Sequence, residues 1–179
     1  AELVDSAIPI INSLYQCSLG RNDIRMYEMH KVVGTTEESF KKIFTAINYK
    51  KINPIPGAIE GLKQLEHHFE IIIATNRPSE FIEQTQEWLN QYCFPFSFFM
   101  NFAGEEDSRL SKLEIYEKSD VVIDDDLTAI IHASSHTKLS CLLDSPWNHS
   151  INAEKRFVRC QDWAEITSTC LEFMANETS

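Results

Sequence analysis

From residue 54 onward, short, mostly apolar runs alternate with segments of helical period, and this alternation constrains the fold more than any other feature. "FEIIIAT", "FSFFMNF", "DVVID", "KLSCLLD" and "RFVRC" are too short for stable helices and read as strands. Between them, "NRPSEFIEQTQEWLNQY" puts Phe81, Thr85, Trp88, Leu89 and Tyr92 on one helical face, with Asn76 or Ser79 available as its cap. "LTAIIHASS" is a short helix, and "DWAEITSTCLEF" opens with Asp162 and Glu165 in capping-box spacing. Ahead of the first strand, "PIPGAIEGLKQLEHH" carries Ile59, Leu62 and Leu65 at helical spacing, with Pro56 at its start. Strands and helices alternating at these lengths predict a parallel sheet covered on both faces, a three-layer, doubly wound, Rossmann-like α/β fold. The first fifty residues differ. "ELVDSAIPIINSLY" and "TTEESFKKIFTAINYK" are both helical in pattern, the second capped by Thr35 or Thr36, and no strand separates them. The predicted organisation is a small helical layer over 1–50 followed by an α/β body over 51–179.

A length of 179 residues with 43% hydrophobic residues is enough for one such body with a core. No apolar run approaches the ~20 residues a membrane-crossing helix needs. The formal net charge of −11 argues against a basic face for nucleic-acid polymers. An anionic ligand would therefore need a local positive site, most simply a metal ion plus one or two basic side chains. The cysteines (Cys17, Cys93, Cys141, Cys160, Cys170) are odd in number and scattered, with no C-x-x-C spacing. They predict reduced thiols in a cytoplasmic protein and give no structural zinc spacing. The histidines are scattered too, and His67-His68 reads as a solvated pair.

"SDVVIDDDLTAI" ends its most apolar stretch in three carboxylates, Asp124, Asp125 and Asp126. Adjacent carboxylates repel, and holding them at a buried strand end is costly unless a cation compensates. One aspartate suffices to cap the helix that follows, so three favour a metal role. In doubly wound sheets ligands bind at the carboxyl ends of the strands. Asp124 and Asp125 close one strand there, with oxygen donors suited to Mg²⁺. Thr75 closes another just before a predicted helix, where its hydroxyl and the next N–H groups can hold a phosphate. Lys112, in "SRLSKLEIYEK", lies just upstream of the carboxylate strand and can reach the same pocket. Asn76 and Arg77 either contact the phosphate or shape the turn before Pro78. Tyr27, Phe40 and Phe44 could stack on a base, although aromatics at helical spacing more often form core. "GEED" at 104–107 reads as a solvated loop, and Trp147 of "SPWN" as packing against the body.

Residues 54–148 resemble the haloacid-dehalogenase-like hydrolases, most closely their cytosolic 5'-nucleotidase (deoxyribonucleotidase) branch. The matching pieces are "PIPGAIEGLKQL", "IIIATNRP", the lysine of "SKLEIYEK", "VVIDDD" and "LLDSPWN". The resemblance implies a Mg²⁺-dependent phosphomonoester hydrolase with a helical cap that selects the leaving group. It places the phosphate-orienting threonine at Thr75, the lysine at Lys112 and the metal carboxylates at Asp124 and Asp125, with Asp125 the direct ligand. The implied substrate is a small phosphorylated molecule, a nucleotide, with no polymer or membrane partner and the oligomeric state left open. In such hydrolases the first aspartate of a D-x-D-x-[TV] motif attacks phosphorus and the second serves the leaving oxygen, then the attacking water. In such hydrolases a helical cap follows that motif directly; here the helical segment begins at Ala1, no D-x-D precedes it, and Asp5 stands alone in a helical pattern. The motif's strand would lie between those bearing Thr75 and Asp124. Its loss would leave two rows of buried backbone groups unpaired, at about 1–3 kcal/mol each. The expectation is about ten residues upstream of Ala1 ending in D-x-D-x-[TV], a length set by one strand plus the motif. The alternative is a catalytically inactive relative that keeps the pocket for binding or regulation and lacks the nucleophile. A phosphoacceptor signalling domain also uses Asp, Thr and Lys, but in another order.

Overall fold

The computed structural model describes residues 2–26, 28–77, 79–102, 108–149 and 156–177, without the side chains of residues 37, 41, 44 and 108–111. Tyr27, the "GEED" loop and the Phe44 side chain therefore lie outside the described residues. The chain opens with three helices, α1 (Leu3–Tyr15), α2 (Met29–Val32) and α3 (Glu37–Ala46). Pro9 sits inside α1, where it removes a backbone donor. The helix persists because Ala7 and Ile11 are fully buried on its apolar face, against Phe40, Ile43 and Ile47 of the α3 region. Thr36 Oγ1 accepts from the Ser39 N–H at 3.2 Å and so caps α3. Phe40 is 5% exposed in this core, which agrees with the reading of such aromatics as packing residues over base-stacking ones. Phe81 joins the same cluster, and Trp88 Nε1 donates to the Ile52 carbonyl at 2.7 Å, so the helical layer is tied to the following part of the chain.

The α/β part then runs α4 (Ala58–Leu65), β1 (Ile72–Thr75), α5 (Ile82–Gln91), β2 (Phe98–Asn101), α6 (Ser108–Glu117) and β3 (Val121–Asp124). It continues with α7 (Leu127–Ala133), β4 (Leu139–Leu143), β5 (Val158–Cys160) and α8 (Trp163–Glu177). All pairings among the described strands are parallel, in two sheets, β1–β2 and β3–β4–β5. The register sets Thr75 beside Asn101 and Asp124 beside Leu142, so the carboxyl ends of neighbouring strands align.

Alternation along β3 and β4 sorts side chains to two layers, as a strand's period of two requires. Val122 and Leu142 pack with Tyr116, Leu127 and Ile130 of α6 and α7. Val121, Ile123, Cys141 and Leu143 pack with Leu65 of α4 and Ile166 and Cys170 of α8. Helices thus cover both faces, as the alternating pattern predicts. The α4–α8 contact is close because Gly61 has no side chain: a Cβ there would clash with Thr167 Oγ1 and lie 3.2 Å from the Trp163 ring. At the start of α8, Asp162 Oδ1 accepts from the Glu165 N–H at 3.0 Å, whereas the Glu165 carboxylate takes the Gln161 N–H, at 2.7 Å, so the box is shifted by one residue.

Candidate active site

The carboxyl ends of β1, β3 and β4 open into one cavity of about 720 Å³. Thr75, Arg77, Lys112, Asp124 and Asp125 all line it. The hydroxyl, the two cations and the acidic pair come from three separate segments, and the fold converges them.

Asp124 is 8% exposed at its side chain and its bonding is full. Oδ1 accepts the backbone N–H groups of Asp125 (2.7 Å) and Asp126 (3.0 Å). Oδ2 accepts Lys112 Nζ at 2.9 Å and the Tyr116 hydroxyl. Burial alone would push this carboxyl up, but Lys112, Tyr116 and the Asp126 N–H outweigh it and hold Asp124 below the usual range. Asp125 is the opposite case. Burial and the neighbouring Asp124 charge push it up to about 7, with Lys112 only partly opposing. It forms no ion pair among the described residues. Asp126 turns away and caps α7, accepting the Thr128 N–H at 2.8 Å and the Ala129 N–H at 3.3 Å.

Thr75 Oγ1 accepts the Arg77 N–H at 3.3 Å, which leaves its own proton free to donate. A helix does not follow directly. A 3-10 turn, Ser79–Phe81, intervenes, and α5 starts at Ile82 with Phe81 at its N-cap and no side-chain cap. The expected capping by Asn76 or Ser79 is therefore corrected for α5. Asn101 Nδ2, from the neighbouring strand end, holds the Arg77 carbonyl at 3.0 Å and keeps the chain along the sheet edge before it turns. Asn76 is exposed and is not among the cavity-lining residues, whereas Arg77 is. The Arg77 guanidinium donates to Thr85 Oγ1 at 3.2 Å and lies 5.1 Å from the Tyr49 ring centre. Burial lowers its affinity for a proton, and among the described residues it has no carboxylate partner.

Sequence patterning alone misses three participants. Tyr116 stands four residues after Lys112, one helical turn along the same face, and that spacing was a usable signal. Asn148 carries no such signal. It is 1% exposed, donates to the carbonyls of Asp125 (3.1 Å) and Leu143 (2.9 Å), and accepts from the Ser145 N–H (3.2 Å) and Arg159 (2.6 Å). It thereby fixes the backbone that presents Asp125. Asp144 lines the cavity and is bonded to Arg159 at 2.6 Å and His149 at 3.0 Å. Trp147 is buried as expected, with the Arg21 guanidinium 5.3 Å from its ring centre. Asp5 pairs with Arg21 and does not line the cavity, which agrees with its reading as a surface residue.

A parallel sheet with helices on both faces and its polar groups gathered at the strand ends is the architecture of the haloacid-dehalogenase-like hydrolases. Two solved structures share this fold over 94% of the chain, each with a TM-score of 0.51: an L-2-haloacid dehalogenase (9% identity, 85% of its chain) and a hydrolase of that superfamily from Ehrlichia chaffeensis (14%, 87%). Within that class, the profile described as 5' nucleotidase, deoxy (pyrimidine), cytosolic type C protein matches residues 1–175, and the chain belongs to this nucleotidase family. A provisionally named nucleotidase of Halalkalibacterium halodurans is 26% identical over 170 residues, spanning 93% of this chain and 86% of its own. One from Oceanobacillus iheyensis is 29% identical over 152 residues, 81% of this chain and 78% of its own. Among the described residues, no helix is long and apolar enough to cross a membrane.

Proposed function

We propose that the cavity is the phosphate site of a Mg²⁺-dependent nucleotidase that hydrolyses nucleoside 5'-monophosphates through an aspartyl-phosphate. The observation that carries this proposal is the convergence of Thr75, Lys112 and Asp125 on one cavity. The family's description makes deoxyribonucleotides with pyrimidine bases the first substrates to test.

The donor set fits Mg²⁺. Asp124 and Asp125 are hard oxygen donors, and among the described residues Lys112 is the one cation bonded to the pair, so two ionised carboxylates would leave surplus negative charge for a metal to offset. Asp125 would be the direct ligand, because the oxygens of Asp124 are already taken. When bound, Mg²⁺ would offset the phosphate charge and orient it. Thr75 donates its free proton to a phosphate oxygen. Lys112, held in place by Asp124, meets the charge that develops on the transferring phosphoryl group. Arg77 adds a second cation on the cavity wall. The helical layer contributes Val4, Met26 and Met29 to the same cavity, an apolar wall suited to the departing nucleoside. This supports its role as a cap.

The nucleophile would be an aspartate outside the sequence given, on a strand entering between β1 and β3. Two observations support this. The sheets separate between these strands, and residues of both, Ala74 and Ile123 among them, line the cavity. Trp147 and Trp163, on the same walls, have buried Nε1–H groups without an acceptor among the described residues. The aspartate oxygen attacks phosphorus as the bond to the nucleoside oxygen breaks, and the second carboxyl of its motif protonates that oxygen. Water then releases phosphate and regenerates the carboxylate. The free thiols among the described residues suit a reducing compartment, and we place the reaction in the cytoplasm.

The test is phosphate release from nucleoside 5'-monophosphates by the gene's full translation product, with Mg²⁺ and with chelator. Turnover that requires Mg²⁺ is expected. Absence of release from every nucleotide, or release indifferent both to chelation and to Asp125→Asn, would overturn the proposal.

A further inference from the structure

A second cluster of metal-binding side chains lies away from this cavity. Glu117 ends α6, His132 is on the last turn of α7, and His136 is in the turn that closes it. The turn after α7 folds His136 back beside His132, with their ring centres 5.1 Å apart. Glu117 Oε1 is 2.8 Å from His132 Nε2 and 3.9 Å from His136 Nε2, and one ligand atom from each of the three residues lies within 4.8 Å of the others. Ligands about 2.0–2.2 Å from a tetrahedral Zn²⁺ stand roughly 3.3 Å apart, between these two distances. The side chains are 34–44% exposed, so the rings can close the remaining gap and a water can complete the coordination.

We propose that Glu117, His132 and His136 form a second cation site, selective for Zn²⁺ and similar transition metals, that clasps the end of α6 to the end of α7. Two imidazoles and one carboxylate are a donor set that Zn²⁺ prefers and that Mg²⁺, which binds oxygen, does not. The site lies at the end of α7 remote from its Asp126 cap, so β3 and α7 separate it from the acidic pair. Its position suggests a purpose. The α6 helix carries Lys112 and Tyr116, which hold Asp124, while α7 follows directly from the acidic strand end. A metal bridging the two helices would fix the lysine relative to the carboxylates. Metal binding here does not depend on the proposed nucleotidase chemistry, whereas the suggested effect on Lys112 does rest on that reading.

The test is Zn²⁺ binding to the full protein in excess Mg²⁺, which occupies oxygen-donor sites, in a Cys93→Ser background lacking the exposed thiol. One Zn²⁺ per chain is expected, with a higher thermal midpoint and a visible Co²⁺ spectrum showing imidazole ligation. His132→Ala and His136→Ala should each weaken binding at least about tenfold, while Asp125→Asn leaves it intact. Both histidines are at the surface, and circular dichroism checks that the variants fold. No Zn²⁺ binding, unchanged binding in the folded histidine variants, or loss in Asp125→Asn but not in His136→Ala would each overturn the proposal.

Discussion

Asp124 and Asp125 are neighbours in sequence and opposites in environment, and the difference comes from what reaches each of them. Four donors converge on Asp124, from Lys112, Tyr116 and two backbone N–H groups, so it remains ionised and serves as an anchor. Asp125 has the burial with less to offset it, and it is the residue proposed to hold the cation. We therefore expect Asp125→Asn to reduce Mg²⁺-dependent phosphate release by about 100-fold or more, a loss typical of removing transition-state electrostatics. Steady-state kinetics across a Mg²⁺ titration checks it, and an unchanged rate and Mg²⁺ requirement would move the ligand role elsewhere. Asp126 predicts a different outcome. Replacing this N-cap with alanine should cost about 1 kcal/mol of stability, read from urea unfolding, with kcat close to that of the parent. The acidic triplet stood out in the sequence as a candidate site because three adjacent carboxylates at an apolar strand end are otherwise unfavourable. The division of labour within it was not, since it depends on α6 bringing Lys112 and Tyr116 alongside.

At the level of elements, the strands were readable because each is a short, mostly apolar run too brief for a helix, and α5 was readable from its Phe81, Thr85, Trp88, Leu89 face. The start of α5 was not, because Asn101 on a different strand holds the Arg77 carbonyl and delays the turn. The packing of α4 on α8 was equally hidden, since only the fold shows what Gly61 approaches. Gly61→Ala should destabilise by about 1–3 kcal/mol through overpacking against Thr167 and Trp163. Thr167→Ala in the same chain should recover part of that loss, so a double-mutant cycle by denaturant unfolding should show coupling, and additivity would refute the contact. The loop after β4 is joined to β5 through Asp144, Arg159 and Asn148. Burial would raise the Asp144 carboxyl, but hydrogen bonds from His149 and Arg159 outweigh it and hold it below its usual value. A depressed folded pKa stabilises above the unfolded value near 3.9, and this stabilisation fades as pH falls through the folded pKa. Asp144→Asn should thus be less stable at neutral pH, by up to about 1 kcal/mol for a pair this near the surface, and the difference should vanish in acid. A constant difference across thermal melts from pH 7 to strongly acidic conditions would refute the assignment.

For the molecule as a whole, the order of elements was legible, but how distant elements meet was not. Glu117 and His132 carry no shared motif, and only the packing of α6 on α7 brings them to 2.8 Å. The same holds for the division of the strands into β1–β2 and β3–β4–β5, which leaves one edge of each sheet beside the cavity. Parallel sheets of this kind are normally continuous beneath their helices. A buried, unpartnered backbone group costs about 1–3 kcal/mol, so a strand pairing with both edges would add stability on the scale of a whole domain's margin of about 5–15 kcal/mol. The proposed nucleophile-bearing strand would do this while bringing an aspartate between Thr75 and Asp125. The gene's full translation product should therefore melt well above a protein limited to residues 1–179. Its amide groups in Ile72–Thr75 and Val121–Asp124 should exchange at least about tenfold more slowly. Protection confined to β2 and β5 would locate the stabilising contact elsewhere. Equal exchange in the two proteins would mean that no strand closes the sheet, and the aspartyl-phosphate route would then need its nucleophile from another direction.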